Sequence, residues 1–246
     1  MRALLRLTAI ETRLFLREPV SLFLALVFSP LLLVILGLIP DIREPDPEDG
    51  GLRKIIQYVP ILVTLGVALF SLSGLAPLFA SYREKGILRR MRTTPVTPAT
   101  MLSAQLVMAT FVSLVSLVLV LTVARLAFAV ELPQLVPAYL FAFLLMASAS
   151  FAIGLLVAAV APTGTAATAI GTLLFFPLAF FAGIWLPRSD MPEALLTISD
   201  LSPLGAGVQS LQDAAGGNWP QMLHVIVLLA WTIVAGGLAA RFFRWE

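Results

Sequence analysis

The sequence of 246 residues has no cysteine and a single histidine, His224. Disulfides, thiolate metal sites and thiol nucleophiles are therefore excluded, and no histidine cluster is available to hold a metal. Charge is also scarce. Asp, Glu, Lys and Arg make up 12% of the chain, against about 25% in a soluble domain, which is half of what a water-facing surface needs. The only lysines are Lys54 and Lys85, and neither stands in a G-x-x-x-x-G-K-[ST] loop. Without that loop the chain has no phosphate cradle, so any ATP it uses must be hydrolysed by another polypeptide. No G-x-S-x-G occurs either.

What the chain has in abundance is apolar length: 59% of residues are hydrophobic. Uncharged runs cover 19–40, 55–82, 93–124, 132–187 and 214–240. Each reaches the roughly 20 residues that a helix needs to cross about 30 Å of hydrocarbon. The fourth is long enough for two helices, and Pro162-Thr163-Gly164-Thr165 divides it. The expected fold is one all-α polytopic membrane domain over residues 1–246, with spans near 20–39, 58–81, 101–124, 138–161, 167–186 and 222–242. The first run is longer than the apolar part of a secretory signal, and no small-residue cleavage site follows it, so it reads as a retained span.

The distribution of charge predicts the orientation. With the N-terminus inside, the inner segments hold eleven cations and four acids, a net +7, and the outer segments five cations and ten acids, a net −5. Lys and Arg favour the cytoplasmic side, and every alternation agrees, placing both termini in the cytoplasm and the protein in the inner membrane. Before the first span, Arg2, Arg6, Arg13 and Arg17 fall within roughly 60° of one another on a helical wheel. That stripe predicts an amphipathic helix lying among lipid headgroups, with Pro19 turning the chain into the span; the simpler reading extends the first span into the cytoplasm.

Two rival functions can be weighed on residues. Ser148 and Ser150 in the fourth span and His224 at the sixth suit a rhomboid-like intramembrane protease, but no glycine adjoins either serine. A secondary carrier commonly uses buried charges as a relay, and the spans have no obvious ones; Arg125 ends the third span beside Glu131 and reads as a snorkelling residue. A channel or scaffold subunit is a further alternative.

The most informative segment is the inner loop 82–98, Y-R-E-K-G-I-L-R-R-M-R-T-T-P-V-T-P. It resembles the R-E-x-G-T-L-x-x-[LM]-R-x-T-P block of ABC type-2 exporter permeases, as in the daunorubicin-resistance-like drug exporters. Arg83, Glu84, Gly86, Leu88, Met91, Arg92, Thr94 and Pro95 fit, and Ile87 stands where that block has Thr or Ser. A second block, Phe181-Ala182-Gly183 through Leu186-Pro187, then Met191-Pro192, Leu201-Ser202-Pro203-Leu204 and Gln209-Ser210-Leu211, is similar to the family's outer segment between its last two spans.

The resemblance implies a permease subunit that pairs with a second one, homo- or heteromeric, above cytoplasmic ATPase subunits. ATP and Mg would be bound by those partners, and this chain would carry no cofactor, metal or catalytic residue. Membrane lipids surround such a subunit, and no nucleic-acid partner is expected. The substrate would be amphipathic: a drug, a lipid or a lipid-linked glycan. Coupling to the ATPase falls to Arg83, Glu84, Lys85, Gly86, Ile87, Leu88, Arg89, Arg90 and Met91. A continuous helix over 82–92 would set Glu84 in an apolar stripe with Ile87, Leu88 and Met91. Ser71, Ser73, Phe175, Phe176 and Phe180 are candidates to line a path, with Pro177 loosening the fifth span. The outer segment is expected to fold as short re-entrant helices. Asp190 and Glu193 would cap one around Pro192, and Ser202-Pro203 would start another that Gly216-Gly217 stops.

Overall fold

The computed structural model describes residues 2–44, 53–87, 98–186, 188 and 191–242, which form helices and turns with no strand among them. Ten helices organise the described chain: α1 (Arg2–Phe15), α2 (Pro19–Gly37), α3 (Pro40–Arg43), α4 (Lys54–Glu84), α5 (Pro98–Phe128), α6 (Val136–Val160), α7 (Gly164–Phe181), α8 (Glu193–Leu201), α9 (Pro203–Ala215) and α10 (Met222–Phe242). Six of them, α2, α4, α5, α6, α7 and α10, are long and apolar enough to cross a membrane. The chain is an all-α polytopic membrane protein. These spans are apolar around their whole circumference because lipid and neighbouring helices make the same demand on every face.

The centre of the fold is α4. Its apolar window is 83% buried, against 22% for α7 and 28% for α2 and α10. Around α4 pack α2, α5, α6, α7 and α9, while α10 lies along α6. Close approach is achieved with glycine. A Cβ at Gly154 of α6 would sit 2.8 Å from the Ser71 carbonyl oxygen, and one at Gly171 of α7 would sit 2.3 Å from that of Leu72. Both contacts fall on a stretch of π-helix, Phe70–Leu75, inside α4. A second π stretch, Phe23–Val27, lies in α2. Such widened turns open the helix locally, which bulk periodicity does not announce.

The spans follow the expected ones to within four residues at every end but one, and the helix expected before the first span is present. The fifth span stops at Phe181, not Leu186, because Ala182 and Gly183 turn the chain and Gly183 takes φ +92°. The segment before the first span is a helix of its own: α1 stops at Phe15, Glu18 is extended at φ −104° and ψ 93°, and Pro19 begins α2. A simple extension of the span is thereby excluded. α1 buries Glu11 and Phe15 and leaves Arg13 exposed, and Arg17, past its end, is exposed too; the side chains of Arg2 and Arg6 lie outside the described set.

Between α7 and α10 the chain folds into α8 and α9. Ser202 caps α9, its hydroxyl accepting the Gly205 N–H at 3.0 Å, with Pro203 at the first helical position and Gly217 (φ +86°) past the end. The capping box is a different matter: α8 starts after Pro192 with no side-chain cap, and Asp190 lies outside the described residues. α9 buries Leu204, Val208 and Leu211 against α4, α6 and α10, so it is part of the packed core and not a surface loop.

Candidate functional site

The segment singled out by its motif begins at the last turn of α4. Lys85 N–H donates to the Ser81 carbonyl and Gly86 N–H to that of Arg83, both at 2.9 Å, and Gly86 takes φ +65°. Only glycine adopts that conformation without strain, so the helix stops there. This corrects the expectation of one helix over 82–92. Glu84 closes α4 and does not share a helical face with Ile87, which follows the turn and is half-buried. Lys85 is exposed, and Leu88, Arg89, Arg90 and Met91 lie outside the described residues.

Arg83 and Glu84 point to the same place, the short turn between α6 and α7. The Arg83 guanidinium donates one Nη to the Ala159 carbonyl at 2.8 Å and the other to the Ala161 carbonyl. These are carbonyls at the C-terminal end of α6, where a cation meets the negative end of the helix dipole. One residue on, Glu84 Oε2 accepts the Gly164 N–H at 3.0 Å, at the first residue of α7. There a carboxylate meets the positive end, beside Thr163, whose hydroxyl accepts the Ala166 N–H at 3.1 Å. Two adjacent side chains of opposite charge thus hold the two ends of one turn. The fit leaves no slack, since a Cβ on Gly164 would stand 2.1 Å from Ser81 Oγ.

The family model for the ABC-2 type transporter matches residues 2–215. This chain belongs to the ABC-2 type transporter family. No curated protein matches it. The family assignment makes the chain the membrane domain of an ABC transporter, a multi-pass permease, and the match runs from α1 to the end of α9.

The other candidate residues of this ABC-2 permease separate into two sets. Ser71, in the π stretch, is fully buried and donates its hydroxyl to the Ser150 carbonyl at 2.7 Å, tying α4 to α6; Ser73 is half-buried. Phe175, Phe176 and Phe180 lie on α7, the least buried span. Phe176 is exposed and stacks on Trp185 with ring centres 6.2 Å apart; Phe175 packs edge-on against Phe176, and Phe180 edge-on against Phe181. The structure therefore gathers the phenylalanines on one span and sets Ser71 inside the helix packing. Ser148 and Ser150 turn their hydroxyls to Leu144 O and Met146 Sδ of their own helix. His224 Nε2 meets Asp200 Oδ1 at 3.3 Å, and Asp200 also pairs with Arg188 at 2.5 Å.

Sequence reasoning missed the receiving half of the clamp, because it consists of backbone groups at 159, 161 and 164. The available signal was the Pro-Thr-Gly-Thr break itself, which announces a helix end and a helix start in adjacent positions. It also missed Glu11, which is 6% exposed in α1 and accepts hydrogen bonds from Gln105 and Tyr82.

Proposed function

We propose that this chain is the permease subunit of an ATP-driven exporter, moving an amphipathic substrate across the cytoplasmic membrane with energy from a separate ATPase subunit. The observation that carries the reading is the Arg83–Glu84 clamp. A docking segment at 85–91 that is pushed by a cytoplasmic ATPase starts at residues already fastened to the α6–α7 turn. Displacement there reaches the start of α7 through hydrogen bonds, not through a flexible loop. α7 bears Phe175, Phe176 and Phe180, the apolar side chains assigned here to the substrate path, and internal Pro177 lets its outer half move separately. In this reading two permease subunits pair, and the exposed faces of α2, α7 and α10 meet lipid or the second subunit.

The test is to purify the chain with its ATPase, reconstitute the complex in vesicles and measure ATP hydrolysis against added amphiphiles. Hydrolysis stimulated by a substrate that also accumulates across the membrane is the expected result. A stable complex that moves nothing in either direction would leave the exporter reading without support. Substrate movement driven by an ion gradient without the ATPase would favour a carrier.

A further inference from the structure

Beneath α1 lies a cavity of about 50 Å³ whose walls come from α1, the start of α2, α4 and α5. One water needs about 10–15 Å³ of such space, so the cavity has room for a small polar group and its first carbons. Glu11, Glu18, Tyr82 and Gln105 are the polar and acidic residues of its lining, and Phe15 and Phe70 give it an apolar wall with ring centres 5.6 Å apart.

The hydrogen-bond inventory of this wall is lopsided. Tyr82 donates to Glu11 Oε2 at 3.3 Å and Gln105 Nε2 to the same oxygen at 2.5 Å, so the tyrosine hydroxyl and one amide N–H both go to a single acceptor. Gln105 is fully buried, and its Oε1 has no partner. The amide cannot turn over to cure this, because its oxygen would then face the Glu11 carboxylate. No ion pair to Glu11 is found among the described residues, and burial pushes its carboxyl above the usual range, against the opposing effect of the hydrogen bonds from Tyr82 and Gln105. A buried carboxyl and an unpaired buried amide oxygen, on two residues that line one cavity, call for a cation that brings its own N–H donors.

We propose that the cavity under α1 binds a primary ammonium group carried on an apolar body, with Glu11 as counter-charge, Gln105 Oε1 as second acceptor and the Phe15–Phe70 wall against the adjoining carbons. A primary ammonium has three N–H donors to give to Glu11, Gln105 and Glu18; a quaternary ammonium has none, so it leaves Gln105 unsatisfied. Aromatic faces favour either cation, and the discrimination therefore comes from the acceptors. Both an aminolipid headgroup and a free alkylamine present this chemistry. The site lies within one subunit and stands apart from the exporter reading.

The full chain in phosphatidylcholine nanodiscs, titrated with octylammonium or octyltrimethylammonium, tests the proposal through the ligand-dependent rise of the unfolding midpoint. Equal tails and equal charge cancel partitioning into lipid. Octylammonium is expected to bind about tenfold tighter or more, the worth of one hydrogen bond to a charged group. Glu11→Gln, which keeps an acceptor for Tyr82 and Gln105, should bring octylammonium down to the level of the trimethyl compound, and Gln105→Leu should narrow the difference. Adding phosphatidylethanolamine separates the sources: competition marks a lipid headgroup as occupant, and retained selectivity without competition marks a free amine. Equal affinity for the two head groups in the wild-type chain overturns the proposal whether or not the variants fold, and so does selectivity that survives Glu11→Gln.

Discussion

Arg83, Glu84 and Gly86 occupy four consecutive positions with Lys85 and perform three separate jobs: one caps carbonyls, one caps an N–H, and one turns the chain. A carboxylate at a helix N-terminus contributes about 0.3–1 kcal/mol when exposed, so Glu84 adds little to the stability of a core that α4 dominates. Its value lies in what it connects. Glu84→Ala is expected to insert and accumulate normally while ATP hydrolysis by the complex loses most of its dependence on substrate. Glu84→Gln keeps an acceptor for Gly164 N–H and should retain more coupling than Ala; equal loss in both would show that the charge, and not the hydrogen bond, carries the effect. Wild-type stimulation ratios in both variants would remove Glu84 from the coupling route. The type and position of this residue were legible, because the motif names it. Its partner was not, because a backbone N–H at Gly164 has no side-chain signature and is brought to Glu84 only by tertiary packing.

At the scale of elements, the same device appears twice. Arg83 caps the end of α6, and Arg53 caps the end of α5, donating to the Phe128 carbonyl at 2.8 Å and the Ala129 carbonyl at 3.1 Å. Carbonyls at helix ends would otherwise remain unpaired near the membrane boundary, where water is less available to satisfy them. The spans themselves were legible from uncharged length, and α9 from its Ser-Pro start and Gly-Gly stop. The π stretch Phe70–Leu75 was not, since it lies where α6 and α7 press their glycines on Ser71 and Leu72, a three-helix contact invisible to local pattern. That contact makes a prediction. Gly171→Ala places a methyl 2.3 Å from a backbone oxygen that cannot step aside, so the unfolding free energy in detergent should fall by about 1–3 kcal/mol. Gly237→Ala, on α10, meets nothing within 4 Å and should change stability by less than about 0.5 kcal/mol. Equal tolerance of both substitutions would mean that α7 does not seat on α4 as described.

For the whole molecule, the asymmetry of charge and the placement of the clamp make one joint demand. In the proposed mechanism the net +7 of α1's neighbourhood, the 83–92 segment and the C-terminus lies on the face that an ATPase can reach, and α8, with Glu193 at its start, on the opposite face. An odd number of spans sets the two on opposite faces: three helices long and apolar enough to cross separate Lys85 from Glu193, namely α5, α6 and α7. Both side chains are exposed, so either can report on the solution that bathes it. Because the chain has no cysteine, a single one introduced by Lys85→Cys or Glu193→Cys is the sole thiol. In intact cells with the outer barrier opened, an impermeant maleimide should label Glu193→Cys at once and Lys85→Cys only after the cytoplasmic membrane is permeabilised. Prior treatment with the impermeant reagent should then block later labelling of Glu193→Cys alone. The reversed pattern would put the Arg83–Glu84 clamp outside, where no ATPase can act on it, and would overturn the proposed mechanism while leaving the helix packing untouched. Labelling of both from outside would mean that one of α5, α6 and α7 does not cross.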